Sequence, residues 1–329
     1  MLNKEANLHK DVFTTKLDQI PTRDGYGDGA TEAAEKDSNV VVLTGDLTES
    51  TRSQTFKERF PEKFIEVGVA EQNMAGIAAG MALSGKTPFI ASYATFNPGR
   101  NWDQVRVSIC YSKANVKIIG AHAGLSVGPD GATHQALEDI AITRVLPNLI
   151  VLSPCDYIEA KKATITAAKH KGPVYIRLAR DKTPVFTTDK TKFEIGKATT
   201  LMEGGDITII GTGPILYEAL LAAKELKDNR NITCEVINVS SIKPLDEETI
   251  IKAAKKTGRV VTVEEHQKAG GLGSAVAELL AQKAPVPMKL LGIDDNFGES
   301  GKYSELLEKF GLSAHHIEIE VRNFLQETR

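Results

Sequence analysis

Short apolar runs recur along the chain, each closed by turn residues and followed by a stretch with helical spacing. The first set is Val40–Leu43, Phe64–Val67, Pro88–Tyr93, Val116–Ile119, Leu149–Leu152 and Val174–Leu178. Between them, the 3.6-residue period is clearest at Asn101–Ser112, Gln135–Val145 and Tyr157–His170. Val- and Ile-rich runs of this length, apolar at every position, suit strands buried on both faces of a parallel sheet. A charged, Thr-rich stretch from Asp181 to Thr191 interrupts the rhythm and reads as a linker. A second, smaller alternation follows: strand runs at Ile207–Ile210, Cys234–Val239, Val260–Glu264 and Lys289–Ile293, and helices at Leu216–Leu226, Glu247–Lys256, Gly273–Gln282 and Ala314–Leu325. The pattern predicts an α/β protein of two domains, residues 1–185 and 195–329, joined by a linker at 186–194. No internal repeat or low-complexity tract is visible.

The segment Glu66-Val-Gly-Val-Ala-Glu71-Gln-Asn-Met-Ala-Gly76 carries the strongest chemical signal. A β-branched run ending at Gly68 turns directly into a helix with Glu71 in its first turn. A carboxylate is electrostatically favoured there, and capping alone accounts for a lone one. Ala75, Gly76, Ala79 and Gly80, however, form two small-residue pairs at i and i+4, a face that lets another backbone come close. The combination predicts a subunit seam with a buried ligand at its head.

Composition removes several alternatives. The chain has 329 residues, 41% of them hydrophobic and 25% charged, with a net charge of −3. That balance gives no reason to expect nucleic acid or an anionic membrane as a partner. Cys110, Cys155 and Cys234 are widely spaced, which argues against a disulfide framework or a zinc site. The N-terminal residues lack the apolar core of a signal peptide, and no run is long enough to cross a bilayer. The expected location is the cytoplasm.

A second constellation is His122-Ala-Gly-Leu-Ser-Val-Gly-Pro-Asp130-Gly-Ala-Thr-His134-Gln, which begins where the run Val116–Gly120 ends. Ligands of open α/β sheets bind beyond the carboxyl ends of strands. The His spacing with one carboxylate matches no common metal-ligand pattern, so no metal site is expected in this chain. The loop reads as a row of groups able to hydrogen-bond a polyhydroxylated substrate, and its imidazoles as groups able to exchange protons near neutral pH. Arg23, Ser50 and Arg180 stand at strand ends or turns, and arginine is suited to phosphate. Tyr93 and Phe96 follow another strand and can clamp a flat heterocycle.

Taken together, Gly-Val-Ala-Glu71-Gln-Asn-Met, the His122…Asp130…His134 loop and Ala-Arg180-Asp-Lys-Thr-Pro resemble the C-terminal half of a transketolase. The resemblance spans nearly the whole chain: a pyrimidine-binding domain, then the smaller C-terminal domain. It implies a subunit of a split enzyme that uses thiamine diphosphate to move a two-carbon ketol unit from a ketose phosphate to an aldose phosphate. Glu71 is then the carboxylate facing the aminopyrimidine ring, with burial raising its pKa against the helix terminus. Tyr93 and Phe96 line the ring, and Asp46 lies near the thiazolium. His122, Asp130 and His134 touch the sugar, and Glu71, His134 and His122 form the catalytic set. Arg23, Ser50 and Arg180 hold the phosphate. The third ring-lining aromatic is replaced by Gly99 or Arg100, as in deoxyxylulose-phosphate synthases, whereas His122 stands where those synthases carry Arg.

The family's Gly-Asp-Gly…Asn signature for a magnesium diphosphate is absent. Gly27-Asp28-Gly29 is followed by an amphipathic stretch, Gly29 is expected to precede a helix, and Asn39 is too close. The resemblance therefore implies a partner chain that binds the diphosphate and Mg2+, a heterotetramer, and a place in the pentose phosphate pathway. Rival readings are the beta subunit of a 2-oxo acid dehydrogenase, a deoxyxylulose-phosphate-synthase-like enzyme, and a non-catalytic scaffold or regulatory subunit.

Overall fold

The computed structural model describes residues 1–328. Its larger sheet has seven strands in the order Ser241–Lys243, Ile150–Leu152, Val174–Arg177, Lys117–Ala121, Thr87–Tyr93, Val40–Thr44 and Phe64–Glu66. Every pairing is parallel except that of Ser241–Lys243, which comes from the second half of the chain and runs antiparallel to Ile150–Leu152. The central strands are buried at every position, which is why their sequences read as unbroken apolar runs. Alternate residues feed two cores. Val42, Phe89 and Ile119 pack under helices Thr22–Lys36 and Tyr157–Lys169. Val41, Leu43, Ile90 and Ile118 pack under Glu71–Leu83 and the Trp102–Tyr111 helix, which widens into a π turn from Val105.

The second sheet has the order Met288–Ile293, Val260–Gln267, Ile207–Gly211, Cys234–Asn238 and Thr199–Met202, the last antiparallel. Helices Leu216–Arg230 and Ala314–Glu327 cover one face, and Glu247–Thr257 and Leu272–Lys283 the other. The two halves are stitched together. Ala6, Val12 and Leu17 of the N-terminal arm share a core with the second sheet, as do Leu125, Leu137, Cys155 and Phe186. Among the described residues, no helix is long and apolar enough to cross a membrane.

Three expectations are corrected. Gly29 does not precede a helix: Gly25, Gly27 and Gly29 all lie inside Thr22–Lys36. They are there for close packing, since a Cβ at Gly25 would run into the Tyr157 carbonyl and one at Gly29 would sit 2.8 Å from Thr164 Cβ. The Gln135–Val145 helix shrinks to Asp139–Arg144, because Gln135–Leu137 are taken up in contacts with the second domain. The Asp181–Thr191 stretch, read as a linker, is not a bare connection but is bonded to both of its flanks. Thr183-Pro184 pair with Gln19-Ile20, Thr187 N–H and Oγ donate to Asp156, and Lys162 Nζ donates to the Thr188 and Thr191 carbonyls.

Candidate active site at the carboxyl edge of the first sheet

Five parallel strands deliver the site residues to one edge. Phe64–Glu66 leads through Gly68 (φ +70°) into the helix that begins with Glu71. The Glu71 side chain folds inward and is 1% exposed. Ser92 Oγ donates to its Oε1 at 3.4 Å, and Arg100 Nη1 donates to its Oε2 at 2.8 Å. Burying a carboxylate without such partners is costly. A guanidinium thus faces the buried Glu71 carboxyl. Gly45, at the end of Val40–Thr44, lies against the carboxyl, its Cβ position 3.7 Å from Oε1.

The loop after Thr87–Tyr93 is pinned by two buried amides. Asn97 Nδ2 donates to the Ile90 and Ile119 carbonyls, and Asn101 Nδ2 donates to the Glu71 carbonyl at 3.1 Å. The pinning aims an aromatic cluster over the edge. Tyr93 stacks on His122 at 3.8 Å between centroids and lies 6.0 Å from Phe96, while His134 meets Tyr93 and Phe96 edge-on. The Arg100 guanidinium lies 4.3 Å over the Phe96 ring, linking this cluster to Glu71.

Arg23, in the first turn of Thr22–Lys36, donates through Nη1 to His122 Nε2 at 3.1 Å and to the Ser50 carbonyl at 2.9 Å. Ser50 therefore meets Arg23 through its backbone, not its hydroxyl. Burial, then Arg52 and Arg180, push the Arg23 guanidinium down to about 10. Burial first, followed by Arg23 and Arg180, holds His122 down to about 2. That corrects the expectation of proton exchange near neutral pH for His122. Arg180 Nη1 donates to the Val127 carbonyl at 3.0 Å, and its backbone N–H donates to Ser126 Oγ. His134 is half-buried, its Nδ1 2.8 Å from Thr133 Oγ1. Asp130 is exposed.

Asp46 is exposed, its backbone in the left-handed region at φ +61°; His122 and Arg52 share that conformation at +55° and +65°. Such backbones cost about 1–3 kcal/mol each and gather at functional sites. Glu66, unnoticed in the sequence, fixes the Asp46 turn by accepting from Thr44 Oγ1, Thr48 Oγ1 and the Asp46 and Gly68 N–H groups. Burial pushes its carboxyl up, but those four bonds, Thr44's foremost, prevail and hold it below the usual range. Arg100 is the other residue whose role escaped prediction. Its signal was a cation four residues after Phe96, close enough to stack on it.

The second domain reaches this edge too. Glu265 Oε2 accepts from the Leu125 N–H at 3.1 Å, Glu265 Oε1 accepts from Tyr303 OH at 2.6 Å, and the Arg177 guanidinium donates to the Glu265 carbonyl at 2.7 Å. Among the described residues, no group of three or more His, Cys, Asp or Glu is placed to hold a metal ion.

These residues fit one half of a site for a flat, nitrogen-rich ring: a buried carboxyl oriented on both oxygens, ring faces beside it, and a polar floor. Residues 18–185 match the family model of the transketolase pyrimidine-binding domain, and residues 196–317 that of the transketolase C-terminal domain. The chain belongs to the transketolase family. It is 44% identical to the 6-deoxy-6-sulfo-D-fructose transketolase subunit SqwH of Clostridium sp. strain MSTE9, over 93% of this chain and 94% of that one. It is 40% identical to a subunit of the apulose-4-phosphate transketolase of Phocaeicola vulgatus, over 91% and 95%. A solved split-gene transketolase, an inactive beta4 tetramer, superposes with a TM-score of 0.88 at 44% identity, covering 94% of this chain and all of that one.

Proposed function

We propose that this chain is the pyrimidine-binding half of a two-chain transketolase that moves a two-carbon ketol unit from a ketose phosphate to an aldose phosphate. The buried Glu71 carboxyl at the sheet edge, beside Phe96 and the Tyr93–His122–His134 cluster, carries the reading. Glu71, Tyr93, Phe96 and Asp46 are the residues that would hold the pyrimidine side of thiamine diphosphate. When bound, that cofactor supplies the nucleophilic carbon that carries the ketol unit. Glu71 would hold or give up a proton toward the ring, and Arg100, which now donates to its Oε2, would have to share or release that oxygen. His122, Asp130 and His134 hold the sugar, and His134 moves protons at its hydroxyls and carbonyl. Arg23, Ser50 and Arg180 hold an anionic end group. The relatives' names, one with a sulfo and one with a phosphate sugar, support an anion there.

The diphosphate and Mg2+ belong on a separate partner chain. Self-association into a heterotetramer has support from the outer face of helix Glu71–Leu83. There Gly76 and Gly80 are exposed with open space above them, and Leu83 at the helix end is 69% exposed. Ala75 and Ala79 turn instead into the core, so only half of the small-residue pattern is available to a partner. The same reading puts the enzyme in the cytoplasm, in pentose phosphate metabolism, with domains at 1–185 and 195–329 and a linker at 186–194.

The test mixes the chain with a polypeptide carrying the diphosphate-binding domain, then supplies ketose phosphate plus aldose phosphate in one assay and a 2-oxo acid in another. Ketol transfer without decarboxylation is expected. Decarboxylation of the 2-oxo acid alone would move the assignment to the oxo acid dehydrogenases.

A further inference from the structure

We propose that Arg23 locks His122 as the neutral tautomer protonated on Nδ1, so that His122 offers the site one fixed hydrogen-bond donor and takes no part in proton transfer. A guanidinium has five donors, no acceptor, and stays protonated in proteins. Its Nη1 stands 3.1 Å from His122 Nε2, so that nitrogen must present its lone pair. The proton of a neutral imidazole then sits on Nδ1. Arg23 cannot easily turn away, because the same Nη1 is tethered to the Ser50 carbonyl at 2.9 Å. Nor can the imidazole, which is 1% exposed and stacked on Tyr93 at 3.8 Å.

His122 Nδ1 is a buried polar atom with no partner among the described residues. Buried donors are nearly always paired, so an unpaired one on a fully enclosed ring marks a place kept for a ligand oxygen. The groups facing His122 are Arg23 from the first helix, Arg52 from the turn after Ser50, Arg180 beyond the Val174–Arg177 strand, His134 from the opposite loop and the Tyr93 ring. None is a carboxylate, and burial with these cations suppresses the charged form.

The tautomer stands independently of the ketol-transfer reading; only the identity of the ligand oxygen, a sugar carbonyl or hydroxyl, rests on it. Two consequences follow. Proton exchange at the sugar falls to His134, and Arg23 acts on substrate in two ways, by its own charge at the anionic end group and by fixing His122.

The test is selective 15N-histidine labelling of the intact chain, with long-range 1H–15N spectra between about pH 5 and 8. His122 is assigned by its loss in His122→Asn. The expected spectrum has a pyridine-type Nε2 and a pyrrole-type Nδ1, both unmoved across that range, and Arg23→Met lets the signal titrate. A wild-type His122 that titrates, or that carries its proton on Nε2, overturns the proposal whatever reaction the enzyme performs. A second arm does not depend on the Arg23 variant folding. In the assembled two-chain enzyme, His122→Asn puts an amide N–H near the place of Nδ1, and His122→Gln near that of Nε2. The Asn variant is expected to keep about tenfold more kcat/KM. Equal losses, or a better Gln variant, contradict a donor at Nδ1.

Discussion

The two sheets of this protein end in opposite ways. At the carboxyl edge of the larger sheet, Arg23 Nε, His122 Nδ1 and Thr95 Oγ1 are buried without partners among the described residues, and three non-glycine residues hold left-handed backbones. At the corresponding edge of the smaller sheet, three consecutive polar residues are consumed internally. Glu264 accepts from the Leu272 and Gly273 N–H groups, Glu265 from Leu125 and Tyr303, and His266 Nε2 accepts from the Ala141 N–H. The same architecture thus leaves open donors at the edge of one domain and makes a clamp at the edge of the other. What separates these two strand ends is whether their donors and acceptors are spent on the chain itself, as they are at Glu264–His266. The second domain's contribution to catalysis is on this view mechanical: it holds the His122–His134 loop in place.

The largest way to break the contrast is at Glu71. Glu71→Gln keeps the shape and one acceptor but cannot hand over a proton, and such acid–base steps contribute about 100- to 10,000-fold. Turnover of the assembled variant is expected to fall within that range while its thermal midpoint stays near wild type. Wild-type turnover would show that the carboxyl only caps its helix.

Arg180→Ala comes next. Losing a charge-assisted hydrogen bond costs about 1.5–3 kcal/mol, which raises KM for a phosphorylated donor by roughly tenfold to a hundredfold and leaves an uncharged donor little affected. Arg23→Ala, which removes an anion-holding charge and also frees His122, is expected to impair both donors, the phosphorylated one more. Steady-state kinetics with the two donors separate the arginines, and identical profiles would undo the division of labour.

The ligand edge was more legible in the sequence than the clamp. Glu71 stood out because a carboxylate at a helix start followed a β-branched run. The His122–His134 loop stood out because three glycines and two imidazoles left a strand end together. The clamp left no comparable trace: Glu264, Glu265 and His266 continue an apolar strand, and their partners lie far along the chain. Arg177–Asp139 at 2.9 Å and Lys243 at the Arg144 carbonyl were hidden for the same reason. Ser241–Lys243 joined the wrong domain's sheet because strand pairing is a tertiary choice that a short run cannot encode. The glycines of Thr22–Lys36 misled because glycine ordinarily weakens a helix interior, and here close helix packing overrides that preference.

Breaking the clamp is the third test. Glu265→Ala strands the buried Leu125 N–H and Tyr303 hydroxyl, at about 1–3 kcal/mol for each unsatisfied group. A lower urea midpoint is expected, together with faster proteolytic cutting between residues 122 and 134. Glu265→Gln retains an acceptor and recovers most of the loss. A midpoint shift with unchanged cutting would mean that the loop does not depend on the second domain.

The smallest effect is read in the pH dependence of stability. Folded His122 refuses a proton down to about 2, whereas an unfolded histidine takes one near 6.5. Below that, the unfolded state binds more protons and stability falls with pH. Burial pushes Asp156 up to about 6 and Glu264 up to about 7. Those carboxyls take up protons in the folded state first, so their contribution grows as pH falls through 7 and 6 and opposes that of His122. The wild-type curve mixes both signs, but the difference from His122→Asn isolates the imidazole. The variant is expected to lose about 2 kcal/mol less than wild type between neutral pH and pH 5, and parallel curves would contradict a suppressed His122.

The central claim is that this chain holds half of a site. Its most direct test is a titration of the purified chain with a separate polypeptide carrying the diphosphate-binding domain, following Mg2+-dependent ketol transfer and mass by light scattering together. The account predicts no turnover from the chain alone, then activity that rises to a plateau at one-to-one stoichiometry as a two-plus-two complex forms. Sustained ketol transfer by the isolated chain, free of any second polypeptide, would contradict it.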